Sequence, residues 1–141
     1  MKILILCTGN SCRSQMAHGF LQSFDPSLAV YSAGTKASGK VNPKAIEVMY
    51  DAEIDISHHT SDSVDKYMNN EWDYVITVCG AAKESCPTFL GKVKNRLHIG
   101  FDDPSEATGT PEFIQSEYIR VRDEIKKIFY KLYTDKIKGH E

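Results

Sequence analysis

No apolar run in this chain of 141 residues approaches the length of a membrane span, and the formal net charge is only −2. The apolar run at the N-terminus is too short for a signal peptide, and no small-residue cleavage site follows it. A charge so near zero gives no electrostatic argument for binding nucleic acid or a membrane surface. We therefore expect a cytoplasmic globular protein.

The chain also has no internal repeat, no low-complexity tract and no linker between domains. Its length is sufficient for one well-packed core but too short for two ordinary domains. We expect a single domain over residues 1–141, and a monomer.

One stretch organises the rest of the sequence, namely residues 7–14, Cys-Thr-Gly-Asn-Ser-Cys-Arg-Ser, here called the anion loop. The apolar residues 3–6 before it predict a buried strand, and the pattern after it predicts a helix. Backbone N–H groups in such a loop, together with a helix N-terminus, form a concave site of positive potential. The expected oxyanion ligands are Thr8, Gly9, Asn10, Ser11, Cys12, Arg13 and Ser14.

Cys7 and Arg13 give this loop its predicted chemistry. The guanidinium of Arg13 can hold two oxygens of a tetrahedral anion at once. The same positive field favours the thiolate, so we expect the pKa of Cys7 to be lowered, and Ser14 can donate to its sulfur. A cysteine five residues before an arginine and then a serine resembles the phosphate loop of cysteine-dependent phosphatases. Its position after the first strand narrows the resemblance to the low-molecular-weight tyrosine phosphatase fold.

Further strands are predicted at residues 29–32, 73–79 and 96–100, with helices between them. Asn42 and Pro43 form a typical helix start, and Thr60 or Ser61 is a plausible cap for a short helix that includes Val64 and Tyr67. The predicted fold is α/β, one three-layer domain with a four-stranded, mainly parallel sheet flanked by helices. In such a sheet ligands bind at the carboxyl ends of the strands, where Cys7 and Cys79 both stand.

The four cysteines are not expected to form a structural disulfide framework in a reducing compartment. Their spacing also lacks the two-residue separation that is usual in zinc ribbons. Within one regular helix the Cα atoms of Cys79 and Cys86 would stand roughly 10 Å apart, beyond the roughly 4.4–6.8 Å that a disulfide needs. Pairing them requires residues 80–85 to loop or unwind.

Asp103 follows the fourth predicted strand at the same sheet edge and precedes Pro104. On a loop over an anion site, an aspartate suits a general acid that protonates a leaving oxygen. A phosphatase needs only Cys7, Arg13 and this acid. A reductase of arsenate, which has the shape and charge of phosphate, can use further thiols to resolve its adduct, so the cysteines favour arsenate reduction.

The chain as a whole resembles the thioredoxin-coupled arsenate reductases built on the low-molecular-weight phosphatase fold. The resemblance is carried by residues 7–17, 30–34, 41–46, 54–57, 59–62, 100–104 and 120–125, together with Cys79 and Cys86-Pro87.

The resemblance implies a three-thiol relay. Cys7 attacks arsenate while Asp103 protonates the leaving group, Cys79 then attacks Cys7 and releases arsenite, and Cys86 attacks Cys79. The resulting Cys79–Cys86 disulfide is reduced by thioredoxin, which is itself reduced by thioredoxin reductase. Cys12 is not required, and a weak residual phosphatase activity is left open.

No tightly bound cofactor is expected, and no metal is required. Family members with a potassium site use asparagine, glutamate, serine and aspartate, where this chain has Asn10, His18, Ser32 and Asp62. A histidine removes an anionic oxygen ligand of the kind that hard cations need. Potassium dependence is therefore doubtful, and at most a weak site near Asn10, Ser32 and Asp62 remains.

Two alternatives stay open on the residues alone. One is a phosphomonoesterase whose extra cysteines only sense oxidants, and inactivation by peroxide without arsenate turnover would favour it. The other is a non-catalytic module for anion binding or redox sensing, which would bind phosphate or arsenate without turnover.

Overall fold

Strands and helices alternate along the chain in the computed structural model, which describes residues 1–79 and 91–139. The strands are β1 (Lys2–Cys7), β2 (Ala29–Gly34), β3 (Trp72–Thr77) and β4 (Val93–His98). The helices are α1 (Arg13–Phe24), α2 (Pro43–Asp51) and α3 (Pro111–Leu132). Short 3-10 turns cover Val64–Tyr67 and Pro104–Glu106, and a π-helical turn, Tyr133–Ile137, follows α3. Cys86 and the segment 80–85 that was expected to unwind lie outside the described residues.

The sheet has the strand order β2-β1-β3-β4, and each neighbouring pair is parallel. The predicted α/β architecture is confirmed, with a sheet that is parallel throughout the described residues. At the carboxyl end Cys7 pairs with Gly34, and Leu6 pairs with Thr77. The loops that leave β1, β2, β3 and β4 therefore emerge along one edge.

β1 is central in the sheet, and its residues Ile3, Leu4, Ile5 and Leu6 are fully buried. A parallel strand covered on both faces carries such a continuous apolar run, which explains why the sequence shows no alternation here. Helices α1, α2 and α3 pack against one face of the sheet and contribute to the larger core cluster there. Trp72, only 2% exposed, anchors a smaller cluster on the other face.

The buried faces of the helices follow the predicted periodicity with two corrections. The spacing of apolar residues predicts that Met16, Ala17, Phe20 and Leu21 share one face of α1, and all four are fully buried. In α2 the spacing predicts a face of Ala45, Ile46, Met49 and Tyr50, but Tyr50 is 69% exposed and Val48 is buried. In α3 it predicts a face of Ile114, Tyr118, Val121, Ile125, Ile128 and Leu132, but Ile128 is 39% exposed, while Phe129 is buried and packs near Phe101. Both errors arise because residues either three or four positions apart can share a helix face when the period is 3.6 residues, and the pattern was continued with the wrong one of the two.

Side chains cap the helices much as the sequence indicates. Asn42 caps α2, since its Oδ1 accepts from the backbone N of Lys44 at 2.8 Å and of Ala45 at 3.4 Å. The cap of the short turn Val64–Tyr67 is Ser63, not Thr60 or Ser61. Those two hydroxyls are engaged elsewhere, with the Asp62 carboxylate and the backbone oxygen of Gly9. Within residues 1–79 and 91–139, no helix combines the length and the apolar content that crossing a bilayer requires.

Candidate active site

The anion loop runs from the end of β1 into α1, which begins at Arg13. Its carbonyl oxygens are held from outside by the next loop, where Lys36 N donates to Thr8 O at 3.0 Å, Ser38 N to Gly9 O at 2.9 Å and Asn42 N to Ser11 O at 2.8 Å. In a trans peptide, the N–H that follows each carbonyl points the opposite way. The N–H groups of residues 9, 10 and 12 are therefore turned away from the residues that clamp the loop.

A cavity of about 210 Å³ lies at this loop, lined by residues 7–13 and Asp103. That volume holds several water-sized groups, and hence a small tetrahedral anion. Eight residues of the anion loop, 7–14, were predicted to act in catalysis or anion binding, and seven of them line this cavity. Ser14 does not line the cavity. Its Oγ accepts a hydrogen bond from Asn10 Nδ2 at 2.8 Å, and its own hydroxyl hydrogen can donate to another acceptor. Thr8 Oγ1 is buried without a hydrogen-bond partner among the described residues.

Arg13 connects the loop to the segment after β4. Its side chain is nearly buried, Nη1 donates to the backbone oxygen of Phe101 at 3.2 Å, and Nη2 lies 3.5 Å from Asp103 Oδ2. The other carboxylate oxygen, Oδ1, accepts from the backbone N and the Oγ of Ser105 at 3.0 and 2.7 Å. Arg13 and Asp103, which are distant in the sequence, are thus brought to one cavity with fixed orientations.

The thiols of the described residues are buried at the same end of the sheet. Cys7, Cys12 and Cys79 are 3%, 4% and 0% exposed. Burial, with a further contribution from the Asp103 charge, raises the pKa of Cys12 far above its ordinary value, although Arg13 opposes the shift. This shift disfavours the thiolate form of Cys12.

Cys79 lies just past the end of β3, beside the end of β1. The backbone N of Val78 donates to Leu6 O at 2.9 Å, and Val78 O accepts from Phe101 N at 3.4 Å. The chain before Cys79 is thereby held between the end of β1 and the segment that carries Asp103. The other predicted member of the thiol pair, Cys86, lies outside the described residues.

The sequence analysis assigned Gly34 no role in the site. A Cβ placed there would stand 2.4 Å from Thr8 O and 3.0 Å from Asn10 N. Only glycine lets β2 approach the anion loop so closely. Its pairing with Cys7 in a parallel register could have indicated this.

Gln15 and Asn42 were overlooked as well. Gln15 is fully buried and bonds to the backbone oxygen of Asn10 at 3.0 Å. Asn42 supports Ser11 through its backbone and donates from Nδ2 to the hydroxyl of Tyr118 at 3.0 Å. The amide side chain directly after the anion loop is the sequence signal that could have indicated Gln15. Nothing in the sequence indicates the contact between Asn42 and Tyr118.

Asn10, Ser32 and Asp62, which were named for a weak potassium site, each contact neighbouring protein groups. Asn10 Oδ1 accepts from the backbone N of Asp62 at 2.9 Å, and Ser32 Oγ lies 3.0 Å from His18 Nδ1. Burial, aided by the nearby His59 and His58, lowers the pKa of His18 to about 3, so a neutral ring stands where a carboxylate would be needed. Among the described residues, no group of three or more histidine, cysteine or acidic side chains is arranged to hold a metal.

Comparison with known proteins places this geometry in a family. A model of the low molecular weight phosphotyrosine protein phosphatases matches residues 2–140. The chain belongs to this family.

The curated relatives of this phosphatase-family chain are named arsenate reductases. That of Bacillus subtilis (strain 168) is 49% identical over 124 residues, which cover 87% of this chain and 88% of the relative. That of Halalkalibacterium halodurans is 48% identical over 126 residues, covering 89% of each chain.

Solved structures agree with the family assignment. A structure described as an arsenate reductase in the phosphate binding state superposes with a TM-score of 0.78 at 30% identity, covering 94% of this chain and 96% of the other. A low molecular weight protein tyrosine phosphatase from Bacillus subtilis gives 0.70 at 26% identity, covering 96% and 99%. The fold is thus shared by reductases and phosphatases, and the distinction between them depends on the residues of the site.

Proposed function

We propose that this chain reduces arsenate to arsenite by a relay of Cys7, Cys79 and Cys86, regenerated by thioredoxin in the cytoplasm. The observation that carries the proposal is the second thiol, Cys79, buried at the same sheet edge as Cys7 and the anion cavity. A phosphatase requires no thiol there. The names of the relatives, at close to half identity over most of the chain, support the same reaction.

In the first step the Cys7 thiolate attacks arsenate, and an As–S bond forms as an As–O bond breaks. The departing oxygen leaves as water after taking a proton from Asp103, the one carboxyl group that lines the described cavity. Arg13 and the loop N–H groups hold the remaining oxygens. Arsenic is still As(V) in this adduct.

In the second step the sulfur of Cys79 attacks the sulfur of Cys7. The As–S bond breaks and its electron pair stays on arsenic, so arsenite, As(III), leaves while the two sulfurs are oxidised to a Cys7–Cys79 disulfide. Cys86 then attacks Cys79, which restores the Cys7 thiolate and moves the disulfide to Cys79–Cys86. Two electrons and two protons from a thioredoxin dithiol return this pair to thiols.

Potassium has no part in the proposal. The donor set near Asn10 and Ser32 is already engaged in protein hydrogen bonds, and His18 supplies a neutral ring instead of an anionic ligand. We therefore expect the same steady-state rate in sodium and in potassium buffers of equal ionic strength.

The test is NADPH consumption by the full chain with thioredoxin and thioredoxin reductase when arsenate is added. Hydrolysis of p-nitrophenyl phosphate, measured in parallel, reports the phosphatase alternative. The relay predicts arsenate-dependent NADPH loss that disappears in Cys7→Ser, Cys79→Ser and Cys86→Ser. Hydrolysis of the phosphate ester alone, dependent only on Cys7, would replace the proposal with a phosphatase.

Order within the relay is tested by a single turnover. Cys86→Ser should release one equivalent of arsenite and then stop with a Cys7–Cys79 disulfide, whereas Cys7→Ser should release none because a serine hydroxyl lacks thiolate character. Quench-flow measurement of arsenite, with peptide mapping of the disulfide, separates these outcomes. A Cys86→Ser protein that releases no arsenite in its first turnover would contradict the assigned order.

A further inference from the structure

Gln15 forms a buried junction between α1, the anion loop and the segment before the turn Val64–Tyr67. Its Nε2 donates to the backbone oxygen of Asn10 at 3.0 Å and to that of Thr60 at 2.9 Å. Its Oε1 lies 3.0 Å from Nδ1 of His59. One amide thus satisfies two carbonyls and one imidazole.

This arrangement determines which nitrogen of His59 carries the proton. Both hydrogens of the Gln15 amide are used on carbonyl oxygens, so Oε1 can only accept. Nδ1 of His59 must then donate. If His59 instead presented an acceptor, the amide of Gln15 would turn over, and its oxygen would face the carbonyls of Asn10 and Thr60 without a hydrogen bond.

His18 supports His59 from the other side. The two rings are stacked with centroids 4.3 Å apart and an interplanar angle of 28°. His18 Nδ1 in turn lies 3.0 Å from Ser32 Oγ of β2. The path from β2 through the two imidazoles to Gln15 is continuous and is made of side chains whose orientations are each set by a partner.

This path ends at Asn10, a residue of the anion loop. Asn10 has φ +48°, a left-handed conformation that residues other than glycine adopt at a cost. Its side chain bonds to Ser14 Oγ and to the backbone N of Asp62, and its carbonyl is held by Gln15. Releasing that carbonyl lets Asn10 relax and reorients the peptide N–H groups that face the cavity.

We propose that His59 and Gln15 are positioning residues for oxyanion binding. His59 fixes the amide of Gln15, and Gln15 holds Asn10 in the conformation that aims the loop N–H groups at the anion. The inference rests on the proposed function only in taking the anion loop as the oxyanion site. It does not depend on the thiol relay.

The experiment measures the Kd of inorganic phosphate for the reduced full chain by isothermal titration calorimetry. Loss of one such hydrogen bond corresponds to a Kd raised about 3- to 10-fold, which is expected for His59→Leu and Gln15→Met. His59→Asn should restore binding to within about 2-fold, because the Asn side-chain amide can occupy the place of Nδ1–H. His58→Leu is the matched control, since His58 is exposed and touches His59 only edge-on.

Kinetics with arsenate give a second readout. If His59 positions the loop, His59→Leu should raise KM by a factor similar to the rise in Kd and should change kcat much less. If His59→Leu fails to fold, the comparison of Gln15→Met with wild type carries the test. Wild-type-like Kd in folded His59→Leu or Gln15→Met, or failure of His59→Asn to restore binding, overturns the inference. Failure of the wild type itself to bind phosphate would instead overturn the proposed anion site.

Discussion

The guanidinium of Arg13 lies 3.5 Å from the carboxylate of Asp103, and the two side chains meet at the wall of one cavity. Arg13 is almost entirely buried, whereas the Asp103 side chain retains 23% exposure. The cation is therefore a fixed part of the cavity, and the carboxyl group keeps contact with solvent from which it can be reprotonated. This relationship is the basis of the first prediction.

Asp103→Asn should lower the single-turnover rate of arsenite release by about 100- to 10,000-fold, the range typical of a lost general acid. Asparagine keeps the size of the side chain but cannot supply the proton. Asp102→Asn is the matched control, because Asp102 is exposed and pairs with Arg120 on the outside of α3. Comparable rates in the two variants would remove Asp103 from the assigned role.

Gly34→Ala should destabilise the protein by about 1–3 kcal/mol, the usual cost of overpacking. The new Cβ would stand 2.4 Å from Thr8 O, and the backbone of either β2 or the anion loop must move. Gly9→Ala is the comparison, since its Cβ meets only Ser11 Oγ at 3.6 Å, and we expect a change of less than about 1 kcal/mol. Urea unfolding of both variants measures the difference, and equal stabilities would contradict the close approach of β2.

The free energy of unfolding should decrease as the pH falls from about 6.5 toward 4. Burial lowers the pKa of His18 to about 3 and that of His59 to about 4 in the folded protein, from an ordinary value of 6.5. Between these values the unfolded chain binds more protons than the folded one, so lowering the pH favours unfolding. His58 and His59 face His18 and disfavour its charge, and Asp55 near His59 opposes the effect there.

Between pH 7 and pH 4.5, the free energy of unfolding of His18→Gln should fall by about 1–3 kcal/mol less than that of the wild type. Denaturant titrations at several pH values measure the difference. A wild-type pH profile in His18→Gln would show that this imidazole is not held neutral.

Asn42→Ala should cost about 1–2 kcal/mol of stability through loss of the α2 cap, and should also raise the Kd of phosphate. The backbone N of residue 42, which donates to Ser11 O, stays in the variant, but the side-chain bonds that fix the start of α2 and reach Tyr118 are lost, so we expect the support of the anion loop to loosen. Thr110→Ala removes the comparable cap of α3, where Thr110 Oγ1 accepts from Phe113 N at 3.1 Å. It should cost similar stability with no change in Kd; weakened binding in both variants would indicate general destabilisation.

The sequence by itself determined the α/β class, a four-stranded and mainly parallel sheet, and the position of the anion loop. Buried parallel strands and amphipathic helices have strong local signatures, and the motif of Cys7 and Arg13 combines rare residue types at a restrictive spacing. Even the cap of α2 at Asn42 could be predicted, because its chemistry is local. Where the prediction was wrong, as at Tyr50 and Ile128, the period of 3.6 allowed two neighbouring residues to compete for the core.

Only the tertiary structure decided how the loop is held. The contacts of Gly34 with Thr8, of Arg13 with the segment after β4 and of His59 with Gln15 join residues far apart in the chain. Each contact requires its atoms to be placed to within a few tenths of an ångström and a single carbonyl or ring nitrogen to point in the right direction. Hydrophobic patterning is insensitive to such details, since it specifies which face of an element is buried and not which polar atoms meet across the fold.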